Sequence, residues 1–250
     1  MLKAVIIDDE YDAIESVKLL LQENFTKIHI VGTAQSVKEG KNIINKESPD
    51  IVFLDVEMLD GTGFDLLEQI ENRNFSVIFI TAYNQYAIKA FKYSAIDYIL
   101  KPIGIDDFIT AVNKIENKNS KEEHAGKINV LLDNIKNNKP NKISLSTGDG
   151  IEFVDISEIL YIYAEGSYST IRLLDSSELV VSKNIGEFES LLEDHIFYRS
   201  HQSYLINLLH VKKITRADNE IIMDDGSVTY LSRRKKKQFM EIMTMLIKQK

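Results

Sequence analysis

The sequence predicts an α/β protein in which a doubly wound, five-stranded parallel sheet is followed by a predominantly β domain. Up to residue 118, short aliphatic runs alternate with longer amphipathic runs, which is the pattern of successive βα units. The aliphatic runs lack polar alternation, as expected of strands buried on both faces of a parallel sheet. After residue 141 the pattern changes to short strands separated by turns that contain glycine and aspartate, which indicates a separate β domain.

The elements of the first domain are expected to alternate regularly. Strands are predicted at residues 2–8, 28–34, 51–55, 77–81 and 97–101. Helices are predicted at residues 11–23, 36–46, 64–72, 85–93 and 106–117, where apolar residues recur at helical spacing. Because the strands of such a sheet are parallel, their carboxyl ends meet at one edge, where doubly wound proteins bind their ligands.

A polar segment separates the two domains. Residues 119–141 are rich in Asn, Lys and Glu, and helical spacing is limited to residues 128–135, so we interpret this segment as a linker between domains at 1–118 and 142–250. Strands of the second domain are predicted at residues 142–147, 151–154, 159–164, 168–174, 178–183, 211–216 and 220–223. An extended segment is predicted at 197–205, and helices are predicted at 185–193 and from Ser232 onward.

The charge is distributed unevenly along the chain. The net charge is -8, yet residues 196–250 carry 11 basic and 5 acidic side chains, with the densest run at Arg233-Arg234-Lys235-Lys236-Lys237. Such a local basic surface allows binding to nucleic acid phosphates on an acidic protein, although a basic run is also a common solvated surface. There is no cysteine, which excludes disulfides and indicates a cytoplasmic protein. No apolar run approaches the roughly 18 residues of a membrane span, so no membrane partner is expected.

Polar residues follow the predicted strands at the shared edge of the sheet. They are Asp8, Asp9, Asp55, Thr81 and Lys101. Carboxylates brought this close repel one another, and a hard divalent cation with oxygen ligands, usually Mg²⁺, is the simplest way to hold them together. Asp8 and Asp9 are adjacent and suited to metal ligation, which leaves Asp55 as the candidate nucleophile for a phosphoryl group.

At this point a family resemblance appears in the first domain. Residues 1–118 resemble the flavodoxin-like receiver domain of response regulators through four segments, namely Ile6-Ile7-Asp8-Asp9-Glu10, Ile51-Val52-Phe53-Leu54-Asp55, Phe79-Ile80-Thr81-Ala82 and Asp97-Tyr98-Ile99-Leu100-Lys101-Pro102. The resemblance implies that Asp55 is phosphorylated by a sensor histidine kinase. It also implies that Mg²⁺ is bound by Asp8, Asp9, Asp55 and the backbone carbonyl of Glu57.

The resemblance assigns roles to three further positions. It implies that Thr81 and Lys101 contact the phosphoryl oxygens, that Tyr98 is the switch aromatic, and that the bond between Lys101 and Pro102 is cis. Such a domain accepts a phosphoryl group and slowly loses it, so no enzyme activity on an external substrate is expected. One departure is Leu59, which stands where the family commonly has proline and puts the rigidity of that loop in doubt.

A phosphatase of the haloacid dehalogenase type is an alternative, because it also uses an aspartate nucleophile at a strand end with Mg²⁺. Asp60-Gly61-Thr62 is similar to part of its signature. However, Met58 stands where that signature needs a second aspartate, and Asp60 lies beyond the predicted strand rather than at its end.

The second domain resembles the LytTR DNA-binding family. The resemblance spans about residues 142–247 and is carried by Ile159-Leu160-Tyr161-Ile162-Tyr163-Ala164-Glu165-Gly166, Phe197-Tyr198-Arg199-Ser200-His201-Gln202-Ser203-Tyr204-Leu205-Ile206-Asn207, Val211-Lys212-Lys213-Ile214 and Leu231-Ser232-Arg233-Arg234. It implies an elongated β fold that inserts loops into DNA grooves. The implied DNA-contacting residues are Ser167, Tyr168, His201, Gln202, Arg233 and Arg234. We expect Asn207 to fix a turn internally, and Tyr161, Tyr163 and Phe188 to belong to the core.

Together these features predict a two-component response regulator. Phosphorylation of Asp55 is expected to promote homodimer formation around residues 85–101, with Ile88, Phe91 and Ile96 nearby, and hence binding to double-stranded promoter DNA. The alternative is a receiver domain that controls a β module for binding protein or RNA, and salt-dependent binding to duplex DNA distinguishes the two.

Overall fold

A computed structural model describes residues 1–82, 91–92, 94, 96–116, 121–137, 140–215 and 219–248. The chain divides into two compact units, Met1–Ser144 and Leu145–Lys250. Among the residues described, no helix has the length and apolar character needed to cross a membrane.

The first unit contains the predicted parallel sheet. Its strands are β1 (Leu2–Ile7), β2 (Ile28–Ala34), β3 (Ile51–Leu54), β6 (Ser76–Thr81) and β7 (Asp97–Leu100), and a two-residue hairpin of β4 (Glu57–Met58) and β5 (Gly61–Thr62) follows β3. The strand order is β2-β1-β3-β6-β7, and each neighbouring pair is parallel. This arrangement confirms the predicted doubly wound α/β fold and brings the carboxyl ends of all five strands to one edge.

Helices cover both faces of this sheet. They are α1 (Tyr11–Asn24), α2 (Val37–Glu47), α3 (Gly63–Glu68) and α4 (Ile105–Glu116). α1 and α4 enclose one core, in which Phe53 stacks on Phe108 with ring centroids 5.5 Å apart, while α2 and α3 enclose the other. The helix predicted at 64–72 ends at Glu68, where the guanidinium of Arg73 donates to the carbonyls of Leu67 and Glu68. The helix predicted at 85–93 lies largely outside the described residues.

A helix occupies most of the segment interpreted as a linker. This helix, α5 (Lys121–Lys136), packs Ile128, Leu131 and Leu132 into the core that α2 and α3 enclose. Each of these side chains is at most 5% exposed, and burying an aliphatic side chain of this size contributes about 1.5–3 kcal/mol. The first unit therefore includes a helix that extends well beyond the helical spacing seen at residues 128–135.

The second unit is β-rich, as predicted. Strand β8 (Lys142–Ser146) leads into it. The further strands are β9 (Ile151–Asp155), β10 (Ile159–Glu165), β11 (Tyr168–Leu173), β12 (Glu178–Val181), β13 (Phe197–His201), β14 (Tyr204–Asn207), β15 (Val211–Ile214), β16 (Glu220–Met223) and β17 (Val228–Tyr230). The helices are α6 (Ile185–Leu191) and α7 (Lys236–Lys248). One antiparallel sheet has the order β12-β11-β10-β14-β13 and another has the order β15-β16-β17.

Two predictions for this unit need correction. The segment 197–205 is not one extended strand but a hairpin, since β13 and β14 pair antiparallel around a turn at Gln202 and Ser203. The final helix does not begin at Ser232, because a 3-10 turn at Arg233–Lys235 precedes α7. In addition, β17 was not predicted, since it has only three residues.

Candidate functional site

Three carboxylates meet at the carboxyl edge of the parallel sheet. Asp8 follows β1 and Asp55 follows the neighbouring strand β3, where the backbone N–H of Asp55 donates to the carbonyl of Ile7 over 2.9 Å. Asp8, Asp9 and Asp55 each offer one oxygen, and these oxygens all lie within 4.8 Å of one another. Asp8 and Asp55 are buried, at 4% and 6% exposed. We call these three residues together with Lys101 the acidic crevice.

Lys101 joins the carboxylates of the acidic crevice. Its Nζ lies 2.7 Å from Asp55 Oδ2, 2.9 Å from Asp8 Oδ2 and 3.2 Å from Glu10 Oε2. Burial by itself lowers the pKa of Lys101, but the hydrogen bonds and charges of Asp55 and Asp8 outweigh burial and raise the pKa. Lys101 is therefore a permanent positive charge beside Asp55. The peptide bond between Lys101 and Pro102 is cis, which confirms that prediction.

The acidic crevice fits a hard divalent cation. Burial raises the pKa of Asp8; the hydrogen bond from Lys101 lowers this pKa, and the charge of Asp55 adds to the increase. Lys101 supplies one positive charge against the three carboxylates, so a further cation relieves their repulsion. All the donors are carboxylate oxygens, which are the ligands that Mg²⁺ prefers.

The loop after Asp55 packs closely around this residue. Asp55 Oδ1 accepts from the backbone N–H of Val56 at 2.6 Å and from that of Glu57 at 3.4 Å. A Cβ placed on Gly63 would lie 2.4 Å from the backbone oxygen of Asp55, so only glycine fits there. The loop backbone therefore fixes one Asp55 oxygen, and Lys101 holds the other.

Thr81 and Tyr98 lie on the two strands beyond β3. Thr81 ends β6, is 1% exposed, and its carbonyl accepts from the backbone N–H of Lys101 at 2.9 Å. Tyr98 on β7 is half-buried, and its ring stacks on Phe91 with centroids 5.5 Å apart. The structure thus brings all five strand-end residues of the sequence prediction to one edge, with Tyr98 on the adjacent outer strand.

Asp60 lies at the tip of the hairpin of β4 and β5. Leu59 at its tip is 94% exposed, whereas the carboxylate of Asp60 accepts from the backbone N–H groups of Val37 at 2.8 Å and Lys38 at 3.2 Å. Asp60 therefore binds the amino terminus of α2, and these hydrogen bonds lower its pKa. Because Asp60 is engaged there, the structure gives the phosphatase alternative no support.

In the second unit, the two turns that the sequence predicts to contact DNA lie at one end of a sheet. One turn joins β10 to β11 at Gly166 and Ser167, and Gly166 has a φ of 63°. The other turn joins β13 to β14 at Gln202 and Ser203. β10 pairs with β14, and the backbone N–H of Ala164 donates to the carbonyl of Ser203 at 3.0 Å. Ser167, Tyr168 and Gln202 are exposed and His201 is half-buried, with its Nδ1 accepting from the Ser203 N–H at 3.2 Å.

In the basic run, some side chains are exposed and others form hydrogen bonds within the protein. Arg233 and Arg234 are exposed. In contrast, the Nζ of Lys235 donates to the carbonyl of Arg199, and that of Lys236 donates to Asn219 Oδ1 at 2.7 Å. The run is therefore not a uniform solvated surface, since two of its lysines hold the 3-10 turn and α7 to their neighbours.

Several residues of the second unit are structural, as expected. Asn207 is 3% exposed, donates to the carbonyl of Ile159 and accepts from the backbone N–H of Leu209, so it fixes a turn. Phe188 and Tyr161 are buried, and Tyr163 packs beside Tyr161 with ring centroids 6.1 Å apart.

One ion pair was missed by sequence reasoning. Arg172 on β11 pairs with Asp225, which is in the turn before β17, with Nε and Oδ2 3.0 Å apart. An arginine within the otherwise aliphatic run Ile171–Leu174 was the available signal, since a half-buried guanidinium needs an acceptor. The turn aspartate therefore has a partner 53 residues away in the chain.

Comparisons with known proteins match both units. The model of the response regulator receiver domain matches residues 4–113, and that of the LytTr DNA-binding domain matches residues 149–244. An uncharacterized response regulatory protein of Vibrio cholerae is 32% identical, and the alignment covers 97% of this chain and 99% of that protein. The transcriptional regulatory protein LytR of Staphylococcus aureus is 30% identical, with 95% and 97% covered. The sensory transduction protein LytT of Bacillus subtilis is 29% identical, with 97% and 99% covered. The chain therefore belongs to the response regulators that combine a receiver domain with a LytTR DNA-binding domain and control transcription.

Proposed function

We propose that a sensor histidine kinase phosphorylates Asp55, and that this modification promotes dimerisation and sequence-specific binding to promoter DNA. The observation that carries the proposal is the placement of Asp55, which is buried, 2.7 Å from the Lys101 ammonium and within 4.8 Å of two further carboxylates. Such a constellation both activates a carboxylate toward phosphorus and stabilises the charge that accumulates during transfer.

Each residue of the acidic crevice has a role in the phosphoryl transfer. An Asp55 oxygen attacks the phosphorus of a phosphohistidine, an O–P bond forms, and the P–N bond breaks with its electron pair left on the imidazole nitrogen, which takes a proton. Asp8, Asp9, Asp55 and the carbonyl of Glu57 would hold Mg²⁺, which would supply positive charge for the phosphoryl oxygens. Lys101, released from Asp55 Oδ2, turns to a phosphoryl oxygen, and the hydroxyl of Thr81 donates to another.

The switch follows from the new charge at Asp55. Thr81 is drawn toward the phosphoryl group, and Tyr98, which stacks on Phe91, changes its packing. In this proposal the dimer surface forms around residues 85–101, with Ile88, Phe91 and Ile96 nearby. Ile88 lies outside the described residues, while Phe91 is 0% and Ile96 9% exposed, so these two support the surface from within rather than forming it.

The DNA-binding side chains combine specificity with positioning. In the proposal they are Ser167, Tyr168, His201, Gln202, Arg233 and Arg234. Glutamine pairs with adenine and arginine with guanine in the major groove, whereas hydroxyl groups bond to phosphates. The exposure of Gln202 and Arg234 supports their role in reading bases.

The test uses a pool of random-sequence duplexes, with and without acetyl phosphate and Mg²⁺. The wild-type chain should enrich a repeated motif, more strongly with the donor. The Asp55→Ala variant should lose the dependence on acetyl phosphate, and the Arg234→Ala variant should lose the enrichment. The exposed Glu71→Ala and Lys248→Ala are matched controls and should behave as the wild type. Enrichment that is indifferent to the donor in the wild type would contradict the phosphorylation switch, and no enrichment at all would contradict sequence-specific binding.

A further inference from the structure

A half-buried arginine lies directly behind the turn that carries His201 and Gln202. The side chain of Arg199 is 16% exposed and has a protein acceptor at each guanidinium nitrogen. Nε donates to the carbonyl of His201 at 2.8 Å, one terminal nitrogen donates to the carbonyl of Gln202, and the other pairs with Glu189 on α6 at 3.1 Å. The fork of donors therefore closes the turn at two successive carbonyls.

The same strand also holds the 3-10 turn that carries Arg233 and Arg234. The Nζ of Lys235 donates to the backbone carbonyl of Arg199, and the backbone N–H of Ser232 donates to the carbonyl of Ser200 at 2.9 Å. Lys235 also lies 5.5 Å from the ring centroid of Tyr198, and its burial lowers its pKa. The 3-10 turn is thus fixed to β13 at two consecutive residues.

We propose that Arg199 and Lys235 are positioning residues. They hold the β13–β14 turn, with His201 and Gln202, and the 3-10 turn, with Arg233 and Arg234, as one preorganised DNA-binding surface. This inference rests on the proposed DNA-binding role of the second unit. A surface that is ordered before binding loses less conformational entropy when it binds, so its affinity for the correct sequence is higher. Arg199 directs its donors into the protein, which argues for positioning rather than a phosphate contact.

One variant tests the positioning role of Arg199, and a second serves as its control. Arg199→Lys keeps the charge but lacks the planar fork whose three nitrogens reach the two carbonyls and Glu189. Arg172→Lys is the matched control, because Arg172 is also half-buried, is 23% exposed, and bonds to carboxylates and a carbonyl. In the register of β10 and β11, Arg172 lies opposite Tyr161, which is at the end of this hairpin away from its turn.

The experiment measures the dissociation constants of the full chain for two duplexes over a range of salt concentrations. One duplex is selected by the wild-type chain from random sequences, and the other is an unrelated duplex of equal length. We expect Arg199→Lys to weaken binding to the selected duplex about tenfold, which corresponds to the ordering of one or two side chains. Binding to the unrelated duplex and the salt dependence of both should stay unchanged, and Arg172→Lys should keep the wild-type ratio between duplexes.

The other outcomes overturn the inference in distinguishable ways. A smaller salt dependence in an Arg199→Ala variant, by about one phosphate contact, would make Arg199 a DNA contact. An unchanged ratio between duplexes in Arg199→Lys would remove its positioning role. If the wild-type chain selects no duplex, the proposed function itself fails. If Arg199→Lys does not fold, Glu189→Ala removes one partner only, and it should lower the ratio by a smaller factor. An unchanged ratio there would equally overturn the inference.

Discussion

Single residues in the acidic crevice balance opposing electrostatic demands. Asp8 and Asp55 are buried where charge is costly, and Lys101 offsets that cost by bonding to both. The same arrangement leaves Lys101 able to move to a new anion at Asp55. Stability and readiness for phosphorylation therefore depend on one ammonium group.

Lys101→Met should expose this dependence. Without the ammonium the two buried carboxylates repel each other, so we expect a loss of about 1–2 kcal/mol in the free energy of unfolding when Mg²⁺ is absent. This figure is below that of a fully buried pair because Lys101 and Asp9 are partly exposed. Adding Mg²⁺ should recover most of the loss in a urea titration. Lys114→Met, which breaks the more exposed pair with Asp97, is the control and should show a small loss that Mg²⁺ does not change. A loss in Lys101→Met that Mg²⁺ leaves unaltered would contradict this account.

Asp60 should compensate for the absence of proline at position 59. Asp60→Ala removes two hydrogen bonds to the amino terminus of α2, so the loop that carries the Glu57 carbonyl should loosen and the affinity for Mg²⁺ should fall. Leu59→Pro in the Asp60→Ala background should restore part of that affinity by restricting the loop backbone. Isothermal titration with Mg²⁺ measures both effects, and equal affinities in all three proteins would refute the compensation.

The same contact predicts a pH dependence of stability. The pKa of Asp60 is lower in the folded chain than the ordinary value of 3.8, so its contribution is complete above pH 3.8 and is lost as the pH falls through the folded-state pKa. The difference in urea midpoint between wild type and Asp60→Ala should therefore be constant from pH 7 to pH 5 and should narrow below about pH 4. A difference that persists unchanged at pH 3 would show that the ionised carboxylate is not responsible.

The acidic crevice could be predicted from sequence, whereas Asp60 and Arg199 could not. Parallel strands bring their carboxyl ends together whatever the loops do, so Asp8, Asp55 and Lys101 follow from strand order. The partners of Asp60 lie 22 and 23 residues away, and the carboxylate partner of Arg199 lies on a separate helix. Such contacts depend on how elements pack, and local sequence patterns carry no information about them.

At the scale of elements, α5 differs most from expectation. Its apolar residues Ile128, Leu131, Leu132 and Ile135 do show helical spacing, but residues 121–127 are mostly polar, and that half resembles a solvated linker. The end of the helix is fixed by Asn134, which is 0% exposed. Its amide donates to the carbonyl of Lys142 at 2.9 Å and accepts from the backbone N–H groups of residues 141 and 142.

Asn134→Ala should release the segment that follows α5. The change removes the side-chain partner of backbone groups at residues 141 and 142, which are exposed and half-buried respectively, so we expect a loss of about 0.5–1.5 kcal/mol in stability. Hydrogen exchange of these two amides should accelerate. Asn137→Ala is the control, because Asn137 is exposed and bonds only within its own helix turn among the contacts described, to the carbonyl of Asp133. Exchange that is equally slow in both variants would show that Asn134 does not hold the segment.

At the scale of the whole molecule, charge is segregated along the chain. Residues 1–120 carry 12 basic and 19 acidic side chains, whereas the basic excess lies after residue 196. DNA affinity should therefore depend steeply on salt even though the net charge is -8, because counterion release depends on the local surface that meets the phosphates. Phosphorylation adds negative charge to the acidic half, so it cannot strengthen DNA binding by direct attraction. A gain in affinity therefore requires a change in assembly or in the exposure of the basic surface.

Dimerisation predicts a specific change in the salt dependence. If phosphorylation joins two chains, the number of phosphates contacted per bound complex should roughly double, and so should the slope of log affinity against log salt. Binding to a duplex that carries two half-sites, measured with and without acetyl phosphate, checks this. Asp55→Ala should keep the lower slope under both conditions. If dimerisation is the mechanism, only the second copy of the chain adds phosphate contacts. Tighter binding of the phosphorylated chain with an unchanged slope would therefore contradict dimerisation. It would mean that phosphorylation uncovers an existing surface in a single chain.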